Sequence, residues 1–354
     1  MTFDHPSDPV PRWHMAAWSE EIGETLLSRR LNGSRILLYR KDDGQITAMD
    51  DRCPHRFAPL SLGDRKGNNV HCGYHGLGFN AQGECIHNPF SDRIPRGATI
   101  RTYPIIERDN VAWIWLADPA FASSTDIPNF SFMANTPANF QMRGYTLMSA
   151  NFEYGTDNLM DLSHIEFVHR GSFAGQGVIF AGTHDVRQDN ETLHSNWWMP
   201  NVAPPGHTMG QYPPDAKTDH WLDMRWNAPA SMYLQIGATL TGEAREKGII
   251  VDQAHILTPE TEDTTHYFWC TTTALPLDDP NIAMGVKTLF DQAFNEEDKP
   301  MIQAAYANTE GKAFWERKPV FLGIDAGGTR ARRLLERIRR GQSMTEPANA
   351  TVAS

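Results

Sequence analysis

Short apolar runs separated by turn clusters dominate the first third of the chain. Arg35-Ile36-Leu37-Leu38-Tyr39 and Val111-Ala112-Trp113-Ile114-Trp115-Leu116 stand among the turn clusters Lys41-Asp42-Asp43-Gly44, Gly67-Asn68-Asn69 and Ala81-Gln82-Gly83. Runs this short, without a sustained 3.6-residue period, predict an all-β module over residues 13–119, a small sandwich or barrel. Residues 117–140, rich in Ala, Pro, Ser and Asn, read as a linker. The remainder, 120–340, reads as a second domain of mixed type. Residues 192–199, 220–226, 231–240, 249–257 and 265–274 predict strands, and 151–169, 284–308 and 328–340 predict helices. The proline-rich stretch 200–217 predicts a long loop. Residues Arg330 to Arg340 carry six arginines and one glutamate, which reads as a helix ending in cations on a solvated face. The small polar residues 341–354 predict a disordered tail.

Composition narrows the class. At roughly 100–200 residues per domain, a chain of 354 residues accommodates about two. Asp and Glu number 43 against 32 Lys and Arg, a net charge of −11, the wrong sign for a phosphate-backbone partner. The start, Met1-Thr2-Phe3-Asp4-His5-Pro6, lacks the basic and apolar regions of a signal peptide, and no apolar run approaches the ~18 residues of a membrane span. Four cysteines, Cys53, Cys72, Cys85 and Cys270, are too few for a disulfide framework. The expectation is a soluble cytoplasmic protein that binds neither nucleic acid nor membrane.

Chemistry enters with Cys53-Pro54-His55, sixteen intervening residues, then Cys72-Gly73-Tyr74-His75. Two thiolates and two imidazoles suit either zinc or a [2Fe–2S] cluster. Zinc fingers usually pair cysteine with cysteine and histidine with histidine. Here each loop supplies one of each, which suits a cluster with both cysteines on one iron and both histidines on the other. With Arg56-Phe57-Ala58-Pro59-Leu60-Ser61 after the first pair and Gly76-Leu77-Gly78-Phe79 after the second, the module resembles the Rieske family. Cys85, in Gly83-Glu84-Cys85-Ile86-His87-Asn88-Pro89, and Cys270, beside Trp269, read as packing residues.

More than two hundred residues follow, and in them stands Asp157-Asn158-Leu159-Met160-Asp161-Leu162-Ser163-His164-Ile165-Glu166-Phe167-Val168-His169. Two histidines and a carboxylate are the material of a facial iron site with positions open for O2. His164 and His169 are five apart, about 140° around an ideal helix. They share a face only if the helix ends or distorts between them, which speaks against a zinc-protease helix.

This block resembles the mononuclear iron motif of the Rieske non-haem oxygenases, and the likeness runs from Trp13 to about Arg340. The subgroup typified by vanillate O-demethylase and dicamba monooxygenase is suggested by Trp113-Ile114-Trp115, by Asp157 to Asp161, and by His255-Ile256-Leu257-Thr258-Pro259-Glu260-Thr261-Glu262. The resemblance implies an α+β chain: an N-terminal all-β Rieske domain, then a catalytic domain with an antiparallel sheet and helices, helix-grip-like. It implies His164, His169 and a distal carboxylate as ligands of Fe(II); Asp298 is the expected third ligand and Glu297 its alternative. It implies that Asp161 links a cluster histidine of one subunit to the iron site of its neighbour in a homotrimer, and that Asn158 and His255 stand on the substrate side. The implied reaction is an O2-dependent monooxygenation that O-demethylates a small aromatic, with N-dealkylation or ring-methyl hydroxylation as alternatives. A Rieske electron carrier without mononuclear iron is the rival from another class. No G-x-G-x-x-G fingerprint occurs, so NAD(P)H electrons must arrive through a separate reductase and ferredoxin; Arg52, Arg56, Arg65 and Lys66, around the cluster loops, are candidates for docking that partner. Where some acid-binding relatives carry an amide, this chain carries Leu234 followed by Gln235, which points to a more neutral substrate.

Overall fold

The structure, a computed structural model, describes residues 9–173 and 177–342. The tail expected over 341–354 lies, from 343 on, outside the described residues. By contacts the chain divides into Pro11–Ala134 with Thr258–Asp263, and a second unit formed by Asn135–Leu257 and the chain from Thr264 on.

The first unit is built from ten strands: β1 (Trp13–Trp18), β2 (Leu27–Leu31), β3 (Ser34–Arg40), β4 (Ile46–Asp50), β5 (Asp64–Lys66), β6 (Asn69–His71), β7 (Gly78–Phe79), β8 (Cys85–His87), β9 (Ile105–Arg108) and β10 (Val111–Trp115). They form three antiparallel sheets, β1-β10-β9, β2-β3-β4 and β5-β6-β7-β8. Trp13, Trp113 and Trp115 are buried throughout, which explains the apolar run at Val111–Leu116. The segment read as a linker is packed instead. Ile127, Phe130 and Met133 are buried, Phe130 stacks on Trp113 at 6.0 Å, and a short helix, α1 (Phe132–Asn135), follows. Three apolar residues among small polar ones are buried here, Phe130 against the tryptophan, and composition alone hides them.

The second unit holds a seven-stranded sheet in the order β11-β17-β16-β15-β14-β13-β12. Its strands are β11 (Gln141–Met148), β12 (Thr183–Asp189), β13 (Thr192–Val202), β14 (Thr218–Asn227), β15 (Ser231–Leu240), β16 (Ile249–Pro259) and β17 (Thr265–Thr272). The sequence pattern passes over the two edge strands. β12 is almost wholly polar, as an edge open to solvent can be. In β11 the alternation is interrupted by Gly144, where a Cβ would sit 2.2 Å from the Trp269 ring.

Helices cover this sheet: α2 (Phe152–Met160), α3 (Ile165–Val168), α4 (Pro280–Asp291), α5 (Lys299–Ala307) and α6 (Ala326–Arg339), with a π-helical turn, Gln292–Asp298, joining α4 to α5. The expected helix over 151–169 is therefore broken. It is capped at its start by Asn151, whose side chain accepts the Glu153 N–H, and it ends at Asp161. Helix α6 buries Ala331, Leu334, Leu335 and Ile338, the stripe of an amphipathic helix. Gly328 lets it approach α2, since a Cβ there would meet the Asp157 carboxylate at 3.0 Å. The solvated cationic face expected for 330–340 is corrected at two positions. Arg332 is buried, with Nε and Nη2 on Asp157 and Nη1 on Glu153, and Arg339 also reaches Glu153. The arginines mesh with two acidic residues of α2, a partnership 175 or more residues apart in sequence. No helix among the described residues is long and apolar enough to cross a membrane.

Candidate metal centres and substrate cavity

The two loops, Cys53-x-His55 and Cys72-x-x-His75, share one backbone hydrogen-bond pattern. Cys53 N–H donates to Ala58 O and Phe57 N–H to Cys53 O; Cys72 N–H donates to Leu77 O and Gly76 N–H to Cys72 O, each at 2.9 Å. The fifth residue of each loop lies in the left-handed region, Phe57 at φ 60° and Gly76 at φ 74°. The loops pack so closely that a Cβ on Gly73 would lie 2.6 Å from Leu62 O. Buried Asp51 pins the first loop by accepting Ser61 N–H and Oγ–H and Ser28 Oγ–H. Cys53 and Cys72 are buried, while His55 is exposed and His75 half-buried, their rings 4.6 Å apart. Burial, with Cys72 beside it, pushes the Cys53 thiol up to about 11. His75 Nδ1 is buried without a hydrogen-bond partner among the described residues, which leaves a nitrogen lone pair available where the two loops converge. Thiols inside, imidazoles outside and an orphaned ring nitrogen fit a histidine- and cysteine-held cluster. Cys85 and Cys270 are buried packing residues. Of the expected docking cations, Arg65 is engaged by Asp42 at 2.5 Å.

The second centre forms where α2 breaks. Asp161 ends α2 and caps the 3-10 turn Leu162–His164, its Oδ1 accepting the Ser163 N–H at 3.0 Å and Oγ–H at 2.6 Å. The break removes the 140° disparity and brings the His164 and His169 rings to 5.2 Å. Asp298, from the π-helical turn, stands against both, 3.5 Å from His164 Nε2 and 3.2 Å from His169 Nε2. Among the described residues these three offer ligand atoms within 4.8 Å of one another. A π turn shifts the helix face by one residue, a distortion common at functional sites.

The outer nitrogens are committed. His164 Nδ1 donates to the Asp161 main-chain carbonyl at 2.5 Å and His169 Nδ1 to Glu297 Oε2 at 2.8 Å, which leaves both Nε2 atoms facing the centre. Glu297 is itself held by Ser172 Oγ at 2.5 Å and Gln292 Nε2 at 3.0 Å. Burial lowers the His169 pKa, but the Asp298 and Glu297 carboxylates outweigh it and hold it above its usual value. Two carboxylates around two imidazoles favour a cation between them, so the donor set fits Fe(II). Asn158, expected on the substrate side, donates to Asp298 Oδ1 at 3.1 Å. His255 lines the adjoining cavity with both nitrogens occupied, Nε2 on Gln253 Oε1 at 3.1 Å and Nδ1 on the Tyr267 hydroxyl at 2.7 Å. Ser172, Gln292 and the orienting role of Glu297 escaped the sequence reading. Only the adjacency of Glu297 to Asp298 hinted at the last.

The cavity beside this centre measures ≈ 760 Å³ and belongs wholly to the second unit. Leu222, Leu234, Ile236, Val251, Leu289 and Phe290 contribute apolar wall, and His164, His169 and Asp298 open into it.

Residues 12–104 match the Rieske [2Fe-2S] domain and residues 148–341 the vanillate O-demethylase oxygenase C-terminal domain. The chain is similar to the oxygenase component of chloroacetanilide N-alkylformylase of Rhizorhabdus wittichii, 33% identical over 92% of this chain and 93% of that one. It is 34% identical to the oxygenase component of dicamba O-demethylase of Stenotrophomonas maltophilia, over 92% and 96% of the two chains. A crystal structure of dicamba monooxygenase with non-heme iron and dicamba superposes with a TM-score of 0.80 at 31% identity, covering 94% of this chain and 97% of that one.

Proposed function

Because the chain belongs to the Rieske [2Fe–2S] oxygenases whose catalytic half is of the vanillate O-demethylase type, we propose that it is the oxygenase component of a system that oxidatively dealkylates a small aromatic compound. The observation that carries this reading is the convergence of His164, His169 and Asp298 on the wall of an apolar cavity. In the proposed assignment Cys53, His55, Cys72 and His75 hold the [2Fe–2S] cluster, and His164, His169 and Asp298 hold Fe(II). When bound, these groups supply single electrons and O2 activation. An electron carrier would need no such cavity beside a second ligand set.

The overall step is Ar–O–CH3 + O2 + 2 e⁻ + 2 H⁺ → Ar–OH + HCHO + H2O. A methyl C–H becomes C–OH, and the hemiacetal then breaks at its C–O bond to the aryl oxygen. The residues around the site serve that chemistry by placement. Asp161 O and Glu297 orient the two imidazoles, Asn158 turns the Asp298 carboxylate, and the apolar walls exclude water from the reacting carbon. Electrons come from NAD(P)H through a separate reductase and ferredoxin in the cytoplasm. The Asp161 carboxylate connects a cluster histidine of one subunit to the iron site of the next, in a homotrimer. N-dealkylation is the second reading, favoured by the likeness to an N-alkylformylase component.

The test is iron content together with a product screen. The oxygenase holds about three irons per chain, whereas a carrier holds about two. The reconstituted system should release formaldehyde or another aldehyde from O-methyl or N-alkyl aromatics. About two irons per chain with no aldehyde from any of them refutes the reading.

A further inference from the structure

One part of the cavity wall is unlike the rest. The loop after β13 carries His207 in a 3-10 turn, Gly206–Thr208, and β14 carries His220; the two rings stack with centroids 5.4 Å apart and planes at 30°. Both line the cavity. His220 Nδ1 donates to the Gly237 carbonyl at 2.7 Å, so its Nε2 keeps a lone pair. The Ile249 carbonyl accepts a hydrogen bond from the His207 ring, whose Nε2 is buried without a partner among the described residues. A buried polar nitrogen left unpaired is costly, so an unpaired one on a residue that lines a ligand cavity points to a ligand group that satisfies it.

The sign of that group follows from the surroundings. Among the described residues no lysine or arginine lines the cavity, and its ionisable acids are Glu166 and Asp298. Burial pushes the His207 imidazole down to about 3 and the His220 imidazole to about 4, so neither becomes a cation at working pH. Two neutral acceptors beside apolar walls reject an anion, which would be desolvated without a counter-charge. They suit a donor hydrogen, and Leu234, also on the cavity wall, adds no polar anchor.

We propose that His207 and His220 form the substrate-recognition subsite, and that the substrate is an uncharged aromatic bearing an O–H or N–H donor that hydrogen-bonds to this pair. This rests on the dealkylase reading for what happens to the substrate, but not for how it binds. The subsite acts as a positioning device: it fixes one end of an otherwise apolar molecule in the cavity.

Equilibrium binding to the metal-loaded protein tests this without turnover. The probes are 3-methoxyphenol, 3-methoxyaniline, anisole and 3-methoxybenzoate, measured by calorimetry. The phenol and aniline should bind about tenfold or more tighter than anisole, with the benzoate weakest. His207→Phe and His220→Phe should each erase that preference while leaving anisole binding intact, and His220→Asn, which keeps an acceptor, should retain part of it. In turnover the same Phe variants should raise KM for the phenol several-fold with little change in kcat. Anisole binding and the cluster spectrum report folding of the variants, and the wild-type ranking stands without them. Benzoate binding as tightly as the phenol, equal binding of phenol and anisole, or no binding of any probe overturns the proposal. The predicted ranking without any aldehyde product would instead defeat the dealkylase reading and leave the subsite standing.

Discussion

At the residue scale, the chemistry of the catalytic unit depends on what each imidazole does with its outer nitrogen. Glu297 accepts from His169 and is braced by Ser172 and Gln292, so it orients a ligand without being one of the converging three. Glu297→Ala is expected to weaken retention of the mononuclear iron about 10–100-fold, read as iron lost during dialysis against a chelator, with the visible cluster spectrum unchanged. Asp298→Ala should lose that iron outright; the reverse ranking would exchange the two roles. The cavity histidines His207 and His220 carry a pH signature. An unfolded histidine titrates near 6.5, whereas burial holds folded His220 at about 4 and His207 at about 3. Between about 4 and 6.5 the unfolded chain binds protons that the folded one refuses, so these groups make stability rise with pH across that window. Urea midpoints should climb from pH 4.5 to 6.5, and the climb should be shallower in His220→Gln. An identical slope would show that His220 contributes nothing to it.

At the scale of elements, the active helix is α2 and its anchor is α6. Arg332 is 4% exposed and bridges Asp157 and Glu153, with its guanidinium 3.9 Å from the Phe314 ring centroid and 4.8 Å from that of Tyr154. Removing it leaves Asp157, one turn before Asp161, with no cation at the packed face of α2, and leaves Glu153 with Arg339 alone. Arg332→Met should cost about 3–5 kcal/mol in urea unfolding and loosen the iron site, while Arg332→Met with Asp157→Asn and Glu153→Gln should recover part of the loss. A single variant as stable as wild type would make the network ornamental. The broken helix is also an element-scale device: a continuous α-helix from 152 to 169 would turn His169 away from His164, and the Asp161 cap is what interrupts it.

At the scale of the whole molecule, the proposed electron route depends on assembly. Within one chain the Asp161 Oδ1 is spent on Ser163, and only its main-chain oxygen meets His164. A bridging role therefore requires the carboxylate to reach a histidine of another subunit through its second oxygen. Light scattering should find a cyclic homotrimer. Asp161→Asn should keep both metals and the fold yet lower turnover by orders of magnitude, because an amide is poorly suited to accept from two imidazoles. Mixed trimers of Asp161→Asn and His75→Ala chains should regain partial activity, since some junctions pair an intact cluster with an intact bridge. Full activity in a strict monomer, or wild-type single-turnover electron transfer in Asp161→Asn, would contradict the bridge.

The paired loops Cys53-x-His55 and Cys72-x-x-His75, the turn-punctuated β module and the His164/His169 block were legible in the chain because their spacing is local, and local spacing survives into the fold. The core strands of the large sheet were legible for the same reason, since burial on a face writes alternation into a strand. The polar edge strand β12, the burial of Ile127, Phe130 and Met133 with Phe130 over Trp113, and the burial of Arg332 were not. Each depends on a neighbour that composition does not name. The sequence alone determined which ligand types this protein could offer. Only the tertiary structure decided which carboxylate meets the two histidines, which nitrogens face inward and which stay unpaired, because the meeting of His164 and His169 with Glu297 and Asp298, more than a hundred positions on, is set by packing and not by spacing.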